Sequence, residues 1–282
     1  MPKIGWKQAG YPKLLREIAS PPQTLFYQGR LPEDDICVAI VGTRKPSAYG
    51  RAVTERLAYD LAAAGLTIIS GLALGVDSLA HRAALEAGGR TIGILGCGLD
   101  QIYPATNRQL ASRMVKHGGG LLSEYEPGTP PLRHHFPARN RLISGLSLAV
   151  VVTEAAAHSG ALITANFALE QNRLVMAVPG NITSLTSGGT NNLLKAGAAA
   201  VTEASDVLMA LDLEVPTLKA KVARPASADE ALILGLLARE ISDSEDLIAQ
   251  SGWDVIKFNQ VITLMELSGK IRNIGGGRWL SR

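Results

Sequence analysis

The sequence predicts an α/β protein built on a doubly wound parallel sheet, and three observations carry that prediction. Short apolar runs recur at 36–41, 66–69, 91–95, 121–122, 148–153 and 174–178. Their near-continuous apolar character is what parallel strands covered on both faces require. Helical patterns alternate with these runs. Val53, Leu57 and Leu61 share one face after Ser47, a suitable cap. Leu79, Ala83 and Leu85 lie along the next helix, and Leu162, Asn166 and Glu170 mark another after Ser159. The composition agrees, since 46% of the 282 residues are hydrophobic and only 5% aromatic. That is the texture of small-residue α/β packing, on a chain long enough for one large or two ordinary domains.

Several function classes fall away at this level. Cys37 and Cys97 each lie in or beside an apolar run with no second cysteine near. Both read as core residues in a reducing compartment, not as a disulfide framework or metal site. No run of about 18 apolar residues is present, and no apolar signal segment opens the chain, so a soluble cytoplasmic protein without a membrane partner is expected. The net charge of +3 is unevenly spread. Residues 36–210 hold fourteen basic and eleven acidic side chains, whereas 225–282 hold six and eight. A polyanion should therefore go first to the middle segment.

In doubly wound sheets, ligands sit outside the carboxyl ends of the strands, where loops feed helix N-termini. The distinctive residues of this chain fall there. The first strand runs into Gly42-Thr43-Arg44-Lys45-Pro46-Ser47, the second into Ser70-Gly71-Leu72-Ala73-Leu74-Gly75, and the third into Gly96-Cys97-Gly98. Glycines let backbone N–H groups approach an anion, although tight strand-to-helix turns need them equally. No turn requires Arg44, so a cation there suggests a captured phosphate. Two later loops complete the rim: Glu154 followed by His158-Ser159-Gly160 and Thr164, and Pro179-Gly180-Asn181 leading to Gly188-Gly189-Thr190 and Lys195.

Residues 136–144 read FPARNRLIS, placing Arg139 and Arg141 either side of Asn140 before the run at 148–153. Two guanidiniums, fixed cations with planar forks of donors, suit a phosphate ligand. The alternative is that one or both cap a carboxylate elsewhere in the fold. Glu154 is ambiguous in the same way, either positioning the arginines or acting as an acid or base. A P-loop is absent, Gly96-Cys97-Gly98 has Gln101 where a dinucleotide fingerprint needs its last glycine, and Gly145-Leu146-Ser147 precedes a strand instead of following one. His134 and His135 lack a third ligand at metal spacing and read as a surface or nucleic-acid contact.

The motifs GTRKPSAYG, SGLALGVD, GCGLDQIYP, SEYEPGTPP, FPARNRLISGLS, EAAAHSGALIT and PGN…GGTN…LLKAGA, in this order and spacing, resemble the DprA/Smf family of DNA-processing proteins. The lead-in YPKLLREIASPPQTLFYQG is similar as well, so the resemblance runs from about residue 11 to 211. It implies an extended Rossmann-like domain that binds single-stranded DNA, uses no cofactor, hydrolyses nothing, loads a RecA-type recombinase during natural transformation and acts as a homodimer. Carried over position by position, it places Arg44, Arg139, Asn140 and Arg141 on the DNA backbone. Gly42, Thr43, Lys45, Ser70, Gly71, Ser159, Gly160 and Thr164 would line the same rim. Arg133 and Phe136 would add a cation and a stacking face, and Lys195 would extend the groove. Many members also carry an N-terminal helical domain, which has no counterpart in these residues.

The resulting division is a lead-in at 1–35, a Rossmann-like domain at 36–211, a linker at 212–227 and a small domain at 228–282. In the last, Ala231, Leu232, Leu234 and Leu237 suggest a first helix, 244–249 a second and 255–267 a third, with a hairpin around Gly275-Gly276-Gly277. This pattern resembles a winged helix. Its third helix offers Lys257, Asn259 and Gln260 to duplex DNA, but the acidic balance favours contact with protein. The rival to a DNA-binding mediator is a nucleotide hydrolase with a PGGxGTxxE pattern. Here Leu193 stands where that glutamate belongs.

Overall fold

The computed structural model describes residues 1–214, 225, 227–239 and 241–281. The chain forms two compact units, Met1–Val215 and Pro216–Arg282. Most of the linker expected at 212–227 lies outside the described residues.

In the first unit the strands are β1 (Lys3–Gly5), β2 (Thr24–Gly29), β3 (Cys37–Val41), β4 (Thr67–Ser70), β5 (Thr91–Ile94), β6 (Gly120–Ser123), β7 (Ala149–Val152), β8 (Leu174–Ala177) and β9 (Ala199–Ala200). Among the described residues they make one nine-stranded sheet, ordered β1-β2-β6-β5-β4-β3-β7-β8-β9. All neighbours from β6 to β9 are parallel; β1 and β2 run antiparallel at one edge. The lead-in is thus part of the same sheet, with Phe26 of β2 opposite Ser123 of β6. The helices are α1 (Lys13–Arg16), α2 (Ala48–Ala63), α3 (Val76–Glu86), α4 (Arg108–Lys116), α5 (His135–Gly145), α6 (Ala161–Glu170), α7 (Gly188–Lys195) and α8 (Ala204–Ala210).

The strand sequences explain why both faces are covered. Side chains alternate sides along a strand. Cys37, Ala39 and Val41 of β3 enter one core with Leu142, Ile143 and Ala165 from α5 and α6. Val38 and Ile40 enter the other with Leu57, Ala80 and Val207 from α2, α3 and α8. A polar residue in β3 or β7 would therefore be buried whichever way it faced, which is why those runs are unbroken. Ser47 caps α2 by accepting from the Gly50 amide at 3.0 Å.

One buried titratable group should be visible in the pH dependence of stability. His81 of α3 is fully buried, its Nδ1 is 2.6 Å from Thr91 Oγ1, and its Nε2 has no hydrogen-bond partner among the described residues. Burial pushes its pKa down to about 3, with Arg139 and Arg82 adding to the fall. The folded value lies below the unfolded one, so the contribution is complete above pH 6.5 and is lost as pH falls toward 3. Between pH 7.5 and 5 the expected loss is about 2 kcal/mol. Urea unfolding of the parent and His81→Gln at both pH values should show that difference in the parent alone; superimposable pH profiles would refute it.

The second unit contains α9 (Ala228–Leu237), α10 (Ser244–Ser251) and α11 (Val255–Leu267), followed by the hairpin β10 (Ile271–Gly275) and β11 (Arg278–Ser281). Gly275, Gly276 and Gly277 all take positive φ, which only a glycine run adopts easily at such a turn. Ile233, Leu247, Phe258, Ile262, Met265 and Trp279 form the unit's own core. Three helices and a wing on one small core make a winged helix.

Candidate nucleic-acid interface

Strand order reverses at β3. From there the chain moves outward through β4, β5 and β6, then returns to β7 on the other flank of β3 and continues to β8 and β9. The loops after β3 and β7 therefore diverge, and the crevice between them is where such folds bind ligands. The floor of that crevice is tied together. Thr43 N donates to Glu154 O at 2.8 Å, and Val76 N donates to Thr43 O at 3.1 Å. Gly42 is required at this crossing, since a Cβ there would stand 2.7 Å from both Glu154 O and Val76 Cγ2.

Above this floor stand the accessible groups. Arg44 and Lys45 are exposed on the β3 loop, and the Arg44 guanidinium carbon lies 5.9 Å from the Phe136 ring centroid. Half-buried Phe136, in the first turn of α5, is also 5.5 Å from the Tyr103 ring with the planes at 41°. Arg133 is exposed just before α5. Asn140 Nδ2 donates to Gly160 O at 3.4 Å, which joins α5 to the start of α6. There Ser159 Oγ accepts from Ala161 N at 3.3 Å and Gly160 is open to solvent. Arg44, Phe136, Asn140 and Gly160 are thus linked in a row along the carboxyl edge.

The rest of the expected rim divides differently. Arg139 is not an exposed phosphate ligand, because only 4% of it is accessible. Its Nη1 donates to Gly71 O at 2.8 Å and to Ile94 O, and its Nε to Asn140 Oδ1 at 3.3 Å. Across Gly71 lies the buried Asp77 carboxylate, which accepts from the Gly71 and Ala73 amides at 3.1 and 3.2 Å. Burial lowers the Arg139 pKa to about 10, with Asp77 pulling it back up, so the guanidinium stays charged at neutral pH. Burial likewise raises the Asp77 carboxyl, with Arg139 the leading opposing influence. Gly71 leaves space for this pair, since a Cβ would be 2.6 Å from Arg139 Nη2 and 2.7 Å from Asp77 Oδ2. Arg141 instead grips Glu124 with both Nη atoms, at 2.7 and 2.6 Å, so the alternative of a capped carboxylate holds for it.

Five further residues stand differently from expectation. Ser70 is fully buried with its hydroxyl donating to Ile40 O at 2.6 Å, and Thr164 is buried inside α6. Lys195 ends α7, roughly 12 Å along the helix from the carboxyl edge, because a crossover helix runs antiparallel to its strands. His135 is a packing residue, buried and stacked on Tyr125 at 4.0 Å, with Nδ1 3.2 Å from Gly96 O. Glu154 touches neither arginine. It is buried and accepts from Ser47 N, Ser47 Oγ and Thr186 Oγ1 at 2.8, 2.7 and 2.6 Å. Among the described residues no group of three His, Cys, Asp or Glu could hold a metal, and no helix is long and apolar enough to cross a membrane.

Tyr103, exposed beside the Phe136 ring, is the aromatic at this edge that sequence reasoning missed. The available signal was its place in GCGLDQIYP, an aromatic in a glycine-bearing loop after a buried strand.

The fold and its edge define a class: a Rossmann-like α/β protein with cations and aromatics at the sheet's switch point, followed in the chain by a winged helix. The chain belongs to the DNA recombination-mediator protein A family, whose model matches residues 3–212, while the DprA winged helix domain matches 218–277. It is similar to the DNA processing protein DprA of Bacillus subtilis, 46% identical over 199 residues, covering 70% of this chain and 67% of that one. Similarity to the Smf protein of Escherichia coli extends over 276 residues at 38% identity, covering 95% and 74%. Among solved structures, DprA of Streptococcus pneumoniae superposes with a TM-score of 0.69 at 43% identity, covering 74% and 73%. DNA processing protein A of Helicobacter pylori, solved for its single-stranded DNA binding mode, gives 0.66 at 34% identity, covering 72% and 94%.

Proposed function

We propose that this chain is a non-enzymatic mediator of DNA recombination that binds single-stranded DNA along the carboxyl edge, protects it, and loads a RecA-type recombinase onto it. Natural transformation is the setting the family suggests, with the protein acting in the cytoplasm as a homodimer. The observation that carries this reading is the exposed Arg44 guanidinium against the Phe136 ring at the sheet's switch point. A cation to take a phosphate beside an aromatic face to take a base is the general solution for single strands. Lys45, Arg133, Asn140, Ser159, the Thr43 hydroxyl and the amides of Gly42 and Gly160 complete the proposed contact set. Arg139 supports it from behind. The H. pylori relative's single-strand binding adds weight to this choice of ligand.

The hydrolase alternative loses its remaining support. Glu154, the acid-or-base candidate nearest the rim, accepts three hydrogen bonds from Ser47 and Thr186, which argues against its acting as that glutamate. In the winged helix, Lys257 is paired with Asp229 at 3.2 Å and lies over the Trp253 ring at 4.6 Å, while Ile256, Leu264 and Leu267 of α11 are exposed. An apolar α11 face with its lysine engaged favours protein contact over duplex recognition.

Binding should be electrostatic and selective for single strands. If about four phosphates are neutralised, log affinity against log salt should fall with a slope of roughly −3. A salt titration with labelled oligothymidylate and with blunt duplex tests this. Equal affinity for both, or a flat salt response, would remove the proposal.

A further inference from the structure

The loop after β5 carries Tyr103, 48% exposed beside the Phe136 ring, and then turns through 105–107 into α4. Asn107 fixes that turn. Its Nδ2 donates to Leu72 O at 2.9 Å and to Ala73 O at 3.3 Å, which holds the start of α4 at the carboxyl edge against the loop after β4. From there the helix runs about 13 Å back toward the amino ends of the strands.

The two sides of α4 differ in kind. Leu110, Ala111 and Met114 are buried in one cluster with Phe26, Leu72, Leu95 and Leu121. The opposite side presents Arg108, Gln109, Ser112, Arg113 and Lys116, all exposed, and no residue of the helix is acidic. None of its three cations has an acidic partner among the described residues, whereas Arg56 on α2 has Asp60 3.8 Å away, one turn on. Arg113 and Lys116 have a structural use in the last turn, since cations there offset the negative end of the helix dipole. Arg108 has none. It stands in the first turn, where the dipole is positive, so its charge opposes the helix unless an anion comes to meet it.

We propose that the exposed face of α4 is a second stretch of the single-strand track and takes the phosphates of DNA leaving the carboxyl edge. A strand with a phosphate at Arg44 and bases against Phe136 and Tyr103 reaches Arg108 next, then Arg113 and Lys116 down the helix. Cations on a helix with no aromatic side chain hold the backbone and read no base. A single strand can turn from the edge onto the helix over this distance, whereas a duplex, stiff over about 150 base pairs, cannot. The inference rests on the single-strand reading above.

The test measures salt dependence on the full chain by anisotropy, with labelled oligothymidylates of about six and about sixteen nucleotides, lengths within the range that single-strand grooves cover. The longer oligomer should show the steeper slope of log affinity against log salt. In the double variant Arg113→Gln with Lys116→Gln, which keeps good helix formers at both exposed positions, that slope should become shallower by about 1.4, the value of two phosphates. The shorter oligomer should bind it as it binds the parent. Arg113→Lys should retain the parent slope, because counterion release counts charges. Arg44→Ala should weaken both lengths. If the double variant keeps the parent slope on the longer oligomer, or loses equally on both lengths while circular dichroism shows it folded, the α4 track is overturned. If the parent binds neither oligomer, the single-strand reading falls and this proposal with it.

Discussion

Arg139→Ala is expected to destabilise the fold by about 3–5 kcal/mol, the range for removing one partner from a buried charged arrangement. Its guanidinium satisfies the carbonyls of Gly71 and Ile94 and faces the buried Asp77 carboxylate. Without it, those acceptors are buried unpaired and the ends of β4 and β5 lose their tie to α5. Arg139→Lys should recover part of the loss, because the charge returns without the planar fork. Urea unfolding of the three proteins reads this directly. A loss below about 1 kcal/mol in Arg139→Ala, coupled to a large loss of DNA binding, would return Arg139 to the phosphate-contacting set.

Arg44→Ala is expected to do the reverse. The side chain is exposed, so folding should be unchanged, while single-strand affinity should fall by about 1.5–3 kcal/mol, the value of a hydrogen bond to a charged group. Arg44→Lys should restore part of this. Anisotropy with labelled oligothymidylate at fixed salt, after circular dichroism confirms folding, measures the change. If Arg44→Ala binds as the parent does, the interface has been placed on the wrong residues. The pair of variants separates roles that one sequence motif class had merged.

The two arginines of FPARNR show where sequence reading stops. The strand runs at 36–41 and 148–153 were legible because β3 and β7 bury both faces, and no tertiary detail could change their pattern. Arg139 and Arg141, two residues apart in one helix, differ only through partners far along the chain. One meets the carbonyls of Gly71 and Ile94, the other the carboxylate of Glu124. Burial of a charge is decided by that assembly, not by local composition. The helix α5 itself was hidden for a local reason, since Pro137 in its first turn and the interleaved arginines obscure the apolar period that Leu142 and Ile143 serve. β1 and β2 were missed because β1 is a three-residue edge strand with no buried residue, and β2 buries only Leu25 and Phe26 among polar and glycine neighbours.

The Arg139 tie has a consequence for the thermodynamics of capture. Phe136 stands one turn before Arg139 on α5, and the same helix reaches Gly160 through Asn140. Anchoring that helix to the ends of β4 and β5 sets the aromatic face and the α6 start at fixed separation before any ligand arrives. On the proposed function, the ordering required to grip a strand is completed during folding, so the flexibility of the DNA, more than that of the protein, should govern the entropy of binding.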